Sequence, residues 1–149
     1  ENLVRPMGRV TAGVQALKLA PGDAVAQAFT IDPSENPDIL VMTSMGFAKR
    51  TNAKDYRILH GRNAKGVNTI DQLKSDRNGL IIGAASVNND QNLIILTTKG
   101  KMIRIPAEQI RSTGRVTMGV KAVNLDMGDT VKSFVVVKES TDDESDSVE

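Results

Sequence analysis

The chain repeats itself every 53 residues, and that period constrains its fold more than any other feature. GRVTAGV at 8–14 returns as GRNAKGV at 61–67 and again as GRVTMGV at 114–120. An apolar alternation follows each copy: Val14, Ala16 or Leu17 and Leu19; Val67, Ile70 and Leu73; Val120, Val123 and Leu125. A turn comes next, PGD at 21–23, RNG at 77–79 and MGD at 127–129, and each turn leads into another apolar segment. Ahead of the second and third copies stands a further matched pair, ILVMTSMGFAKRT at 39–51 and LIILTTKGKMIRI at 93–105. Each member of that pair reads as strand, glycine turn, strand.

These segments are rich in Val, Ile, Leu and Thr and are bounded by turn residues, which is the signature of β-strands. Strands are expected at about 14–19, 24–31, 39–44, 47–51, 66–73, 80–87, 92–98, 101–105, 119–125 and 130–138. Gly13, Gly46, Gly66, Gly100 and Gly119 recur at the turns, where a backbone angle costly to other residues is needed. One turn of helix is expected at 106–110, with Pro106 in its first position. About four strands per repeat suggests an all-β, propeller-like architecture, whose blades run to about 40–50 residues each. The expected organisation is a partial ring of roughly three blades over 1–138: a remnant at 1–31, a blade at 39–87 and a blade at 92–138. The first copy lacks the upstream hairpin, so a piece of a longer protein starting mid-repeat is expected. A sheet edge left unpaired in such a piece invites self-association.

Catalytic chemistry finds little to work with. The chain has no Cys, which excludes disulfides, thiol nucleophiles and thiolate zinc sites. Its single His60 sits beside the Gly61 turn and reads as a solvated turn residue, and Tyr56 reads as a packing residue. Asp23 and Asp129 follow turn glycines and are explained as bonding their own backbone. No phosphate-loop motif and no metal-ligand spacing occurs, so no active site, metal or cofactor is expected. No leader pattern and no apolar run of roughly 20 residues is present, so a cytoplasmic location without membrane contact is expected.

Net charge is +1, but it is unevenly distributed. The segment ESTDDESDSVE at 139–149 holds six acids and no base, and reads as a disordered tail. Setting it aside leaves 19 bases against 12 acids, a body of +7. Part of this charge keeps the period: Arg9, Arg62 and Arg115 share one place in the repeat, and Arg50 and Arg104 share another. Lys49, Lys54, Arg57 and Lys65 crowd the second repeat; Lys99, Lys101 and Arg111 crowd the third. Such a line of charge can track a phosphate backbone, with counterion release supplying sequence-independent affinity. The same arginines could instead bond carbonyls and cover apolar surface with their stems. Three Phe and one Tyr make a poor stacking platform for single strands or RNA. No recognition helix is evident, so a duplex gripped by its backbone is the better match.

LVMTSMGFAKRT followed by GRNAKGV, and NGLIIGAASVNND followed by LIILTTKGKMIRIPAEQIRSTGRVTMGV, resemble blades of the C-terminal domain of the gyrase A protein. The resemblance spans about residues 4–138. It implies a six-bladed β-pinwheel with strands exchanged between blades, and duplex DNA bent around a basic rim. It places Lys49, Arg50, Arg62 and Lys65 on the rim of one blade and Lys101, Arg104 and Arg115 on the next. It further implies that ATP, Mg2+ and the catalytic tyrosine belong to other domains of a heterotetramer, built from gyrase A and gyrase B proteins, that supercoils DNA. The family's Gly- and Arg-rich box QRRGGKG is absent here, so either the piece begins after the blade that carries it, as the mid-repeat start suggests, or the parent is topoisomerase IV. A propeller-like protein-interaction scaffold without nucleic acid is the competing reading.

Overall fold

The computed structural model describes residues 5–32, 34–59, 65–70 and 75–138. His60, Arg62 and the acidic tail at 139–149 lie outside the described residues. Among the described residues, seven strands form two antiparallel sheets. The first sheet contains β1 (Asp38–Thr43), β2 (Phe47–Asn52), β3 (Ile81–Val87) and β6 (Val120–Lys121), in the order β3-β1-β2-β6. The second contains β4 (Gln91–Thr97), β5 (Met102–Pro106) and β7 (Val131–Lys138), in the order β5-β4-β7.

The two sheets are built alike because the hairpin sequence repeats. Leu40 faces Arg50 across the first hairpin and Ile94 faces Arg104 across the second. Each turn is closed by a threonine. Gly46 N–H donates to the Thr43 carbonyl at 3.1 Å and Phe47 N–H to the Thr43 hydroxyl at 3.3 Å. Gly100 and Lys101 repeat both bonds on Thr97, at 3.1 and 3.2 Å. A bulge falls at matching places too, between Met42 and Thr43 and between Leu96 and Thr97.

β6 is the exchanged strand. It comes from the third repeat, yet it lies beside β2 of the second, with Val120 opposite Ala48 and Lys121 opposite Phe47. Thr113 N–H donates to the Arg50 carbonyl at 2.8 Å and Ala122 N–H to the Gly46 carbonyl at 2.9 Å, extending the join at both ends. Between the sheets lies one apolar core, with Leu40, Met42, Ala48 and Val87 from the first sheet and Leu93, Ile95 and Val131 from the second. Ile110, Ala107 and Val123 complete it. Full burial of each large apolar side chain stabilises the fold by about 1.5–3 kcal/mol. Gly83 allows the sheets to approach closely, since the Phe134 ring lies 3.2 Å from where its Cβ would be.

Several expected strands differ. Among the described residues, 14–19, 24–31 and 66–70 form no strand, and 119–125 shortens to Val120–Lys121. A strand exists only where a neighbour takes its hydrogen bonds along its length, and in these segments the described pairing is limited to a β-bridge at Leu17. Among the described residues the two sheets fall within the expected blades at 39–87 and 92–138. The helical turn at 106–110 is a 3₁₀ turn, Ala107–Gln109, with Pro106 capping it from one position earlier than expected. A matching 3₁₀ turn, Ala53–Asp55, occupies the preceding repeat, and α1 (Ser75–Asn78) is a single helical turn.

Candidate nucleic-acid interface

The basic side chains divide into buried and exposed sets. Lys49 and Arg50, both expected on the rim, are 0% and 6% exposed. β2 is covered on both faces, so alternation along it leaves no outward side. The Lys49 ammonium reaches the loop of the third repeat and donates to the carbonyls of Gly114, at 2.9 Å, and Arg115. Burial, helped by the nearby Arg115 charge, lowers its pKa to about 8. Arg50 Nε donates to the Ile110 carbonyl at 2.6 Å, and a terminal nitrogen donates to Asn89 Oδ1, also at 2.6 Å. Asp38 lies 3.8 Å from Nε. Both residues hold the exchanged segment on β2 and do not face outward. One signal in the sequence could have shown this for Lys49: its counterpart in the next hairpin is Ile103, an apolar residue.

Arg115 is half-buried and donates to the Asn68 carbonyl at 3.4 Å. Of the set it forms with Arg9 and Arg62, it thus takes the carbonyl-bonding role. Arg9, Arg57, Lys65, Lys99, Lys101, Arg104 and Arg111 are exposed. Arg77 and Lys121, which no periodicity singles out, are exposed as well, and both approach Phe47: Arg77 stacks 5.8 Å from the ring centroid and Lys121 is paired with Phe47 across the ladder.

The β4–β5 turn is tied to the 126–129 turn. Lys101 pairs with Asp126 at 2.6 Å, which raises the lysine pKa through the hydrogen bond and the opposite charge. Lys99 Nζ donates to the Met127 carbonyl at 2.6 Å. Asp129 Oδ1 accepts from the Thr98 hydroxyl at 2.8 Å and from the N–H groups of Lys99 and Thr130 at 3.0 and 2.9 Å. Burial alone would raise the Asp129 pKa, but the hydrogen bonds from Thr97, Thr98, Lys99 and Thr130 outweigh it and hold it at about 2. Because Lys101 and Asp126 are both exposed, their ion pair is weak, and the lysine can exchange partners. Gly13, Gly46, Gly66, Gly100 and Gly119 all have φ between 76 and 83°. Tyr56 is half-buried, and its hydroxyl bonds the Thr69 hydroxyl, as suits a packing residue. Among the described residues no cluster of three His, Asp or Glu side chains is placed to hold a metal. No described helix is long and apolar enough to cross a membrane.

Residues 1–32, 37–88 and 91–138 match the family model for the DNA gyrase C-terminal domain, beta-propeller. The chain belongs to this family. The DNA gyrase A protein of Lawsonia intracellularis is 39% identical over 144 residues, which cover 96% of this chain and 17% of that protein. Its Kosmotoga olearia counterpart is 43% identical over 134 residues, covering 90% of this chain and 16% of that protein. The chain thus spans about a sixth of the length of these relatives. A solved DNA gyrase A C-terminal domain superposes with a TM-score of 0.73 at 26% identity, covering 88% of this chain and 43% of that one. A topoisomerase IV C-terminal domain superposes at 0.80 with 24% identity, covering 91% and 41%, a likeness of fold alone. The strand exchange seen at β6 is thus set in a domain of this family.

Proposed function

We propose that this chain binds duplex DNA through the phosphate backbone, without reading bases, and bends it over the outer surface of its sheets. Membership in the DNA gyrase C-terminal domain family carries the reading. The exposed cations Arg57, Lys65, Arg77, Lys99, Arg104, Arg111 and Lys121 support it. Each phosphate they neutralise releases counterions and adds affinity independent of sequence. The single described α-helix is four residues long, too short to fill a major groove. Bending a site of 20–30 bp by 40–90° costs on the order of 1–6 kcal/mol, which several phosphate contacts offset.

In the parent enzyme this binding would serve the DNA gyrase A protein. The rest of that protein, its gyrase B partner, ATP and Mg2+ would supply strand passage, in the bacterial cytoplasm, and the wrapped duplex would bias it toward negative supercoiling. This chain's own part is binding and bending; the reacting groups lie in other domains. Fluorescence anisotropy with two unrelated duplexes and one of their single strands tests the reading. Equal affinity for both duplexes and weaker binding of the single strand are expected. A preference for the single strand, or for one duplex sequence, would refute it.

A further inference from the structure

The two hairpin turns are built alike, yet the charges around them differ. Phe47 and Lys101 hold one position of the repeat, since the N–H of each donates to the threonine hydroxyl that closes its turn. Arg77 and Met127 hold another. Each lies four residues before Ile81 or Val131, the residue that pairs with the closing threonine. Asp76 and Asp126 immediately precede them.

At the first turn the shared position is aromatic, and cations reach it from two repeats. Arg77 stacks 5.8 Å from the centroid of the Phe47 ring. Lys121 lies opposite Phe47 on β6, and directly opposed residues of an antiparallel pair project from the same face, with Cβ atoms about 4.5–5.5 Å apart. The exchanged segment is pinned just beyond Lys121. Ala122 N–H donates to the Gly46 carbonyl at 2.9 Å, and a Cβ on Gly46 would lie 2.9 Å from the Val123 carbonyl oxygen. Arg77 and Lys121 are both exposed, and among the described residues neither makes an ion pair. Stacking on the ring restrains the guanidinium, so less freedom is lost when it meets a phosphate.

At the second turn the same positions cancel. Lys101 Nζ lies 2.6 Å from Asp126 Oδ2, and Met127 stands in the place of Arg77. Asp129 ties the acidic turn to the hairpin, because its Oδ1 accepts from the Thr98 hydroxyl at 2.8 Å and from the Lys99 N–H at 3.0 Å. A phosphate approaching Lys101 meets the Asp126 charge, so few counterions are released there.

We propose that the two sheets grip DNA unequally: Arg77 and Lys121, joined over Phe47 by the strand exchange, form a backbone-phosphate site, and Asp126 keeps Lys101 from forming one at the matching place of the second sheet. This rests on the backbone-binding reading above. The planar fork of Arg77 suits two oxygens of one phosphate, and Lys121 adds a point charge beside it.

The full chain is titrated by fluorescence anisotropy against a nonspecific duplex of about 40 bp over a range of salt. Arg77→Gln/Lys121→Gln should reduce the steepness of log K against log salt by up to about 1.8, while Lys101→Gln leaves it unchanged. Asp126→Asn should increase the steepness by up to about 0.9, and adding Lys101→Gln should remove that gain. Circular dichroism checks that these substitutions at exposed positions leave the sheets folded. Three results would overturn the proposal alone: binding whose steepness Arg77→Gln/Lys121→Gln does not change, an equal loss from Lys101→Gln, or an Asp126→Asn gain that survives Lys101→Gln. No binding by the unmodified chain would overturn the backbone-binding reading and the proposal together.

Discussion

Arg50 and Arg104 occupy one position of the repeat, and replacing each with Met separates two physical roles. Arg50→Met keeps an apolar stem but removes the donor to the Ile110 carbonyl and the countercharge near Asp38, whose side chain is 17% exposed. Ile110 itself is 1% exposed, so water cannot readily replace the lost bond. Hydrogen bonds from charged donors contribute about 1.5–3 kcal/mol each, and breaking a buried pair costs about 3–5 kcal/mol. Asp38 keeps some solvent and Asn89 is exposed, so the lower end applies, about 3 kcal/mol. For a domain of this size that lowers the melting temperature by roughly 10 °C. Arg104 is exposed, and Arg104→Met should stay within about 0.5 kcal/mol of the unmodified chain. Urea unfolding followed by far-UV circular dichroism measures both, with the m-value checked for constancy. DNA affinity measured on the folded proteins completes the comparison: Arg104→Met should weaken it, and Arg50→Met should leave it unchanged. An Arg50→Met protein of normal stability that has lost DNA affinity would refute the burial argument. So would equal destabilisation by the two substitutions.

The remaining expectations concern the lock on β2 and the turn carboxylate. Gly119→Ala places a Cβ against the Ala48 carbonyl at positive φ and should cost about 1–3 kcal/mol in urea unfolding, whereas Gly13→Ala, with nothing within 4 Å of its Cβ, bears only the strain of its φ of 76°, about 1 kcal/mol. The Lys49 pKa is depressed from 10.5 to about 8, so between those values the folded state binds fewer protons and gains stability as pH rises. Measured against Lys49→Met, the unmodified chain should therefore gain stability from pH 8 to 10.5; a flat difference would contradict this. The Asp129 carboxyl is depressed from 3.8 to about 2, so its contribution is present above about pH 4 and lost as pH falls through 2. Acid unfolding of Asp129→Asn should accordingly converge on that of the unmodified chain between about pH 4 and 2, and parallel curves would count against the hydrogen-bonded carboxylate.

Much of the fold was legible because both hairpins carry their instructions locally. Alternating apolar residues and a Thr-x-x-Gly turn place β1, β2, β4 and β5 within a residue or so of expectation. Segments 14–19, 24–31 and 66–70 carry the same local signals but form no described strand beyond a β-bridge at Leu17, and pairing is not a local property. The candidate interface was legible only in part. Repetition found Arg104 and Arg115 but could not say which surface each meets. Lys49 and Arg50 were misplaced because β2 is covered on both faces, which composition conceals when the covering segment arrives from another repeat. Arg77 and Lys121 were missed because their convergence on Phe47 is created by the strand exchange.

Salt-dependent DNA binding tests the central claim most directly. The full chain, with Arg57→Gln/Arg111→Gln and Lys49→Met variants, would be titrated against a nonspecific duplex of about 40 bp over a range of ionic strength. The account expects log K to fall linearly with log salt, at about 0.9 per phosphate contacted, with a slope implying several contacts. The double variant should lose up to about 1.8 from that slope, while folded Lys49→Met retains it. No binding at low salt, or a slope that only Lys49→Met reduces, would contradict backbone binding by the exposed cations.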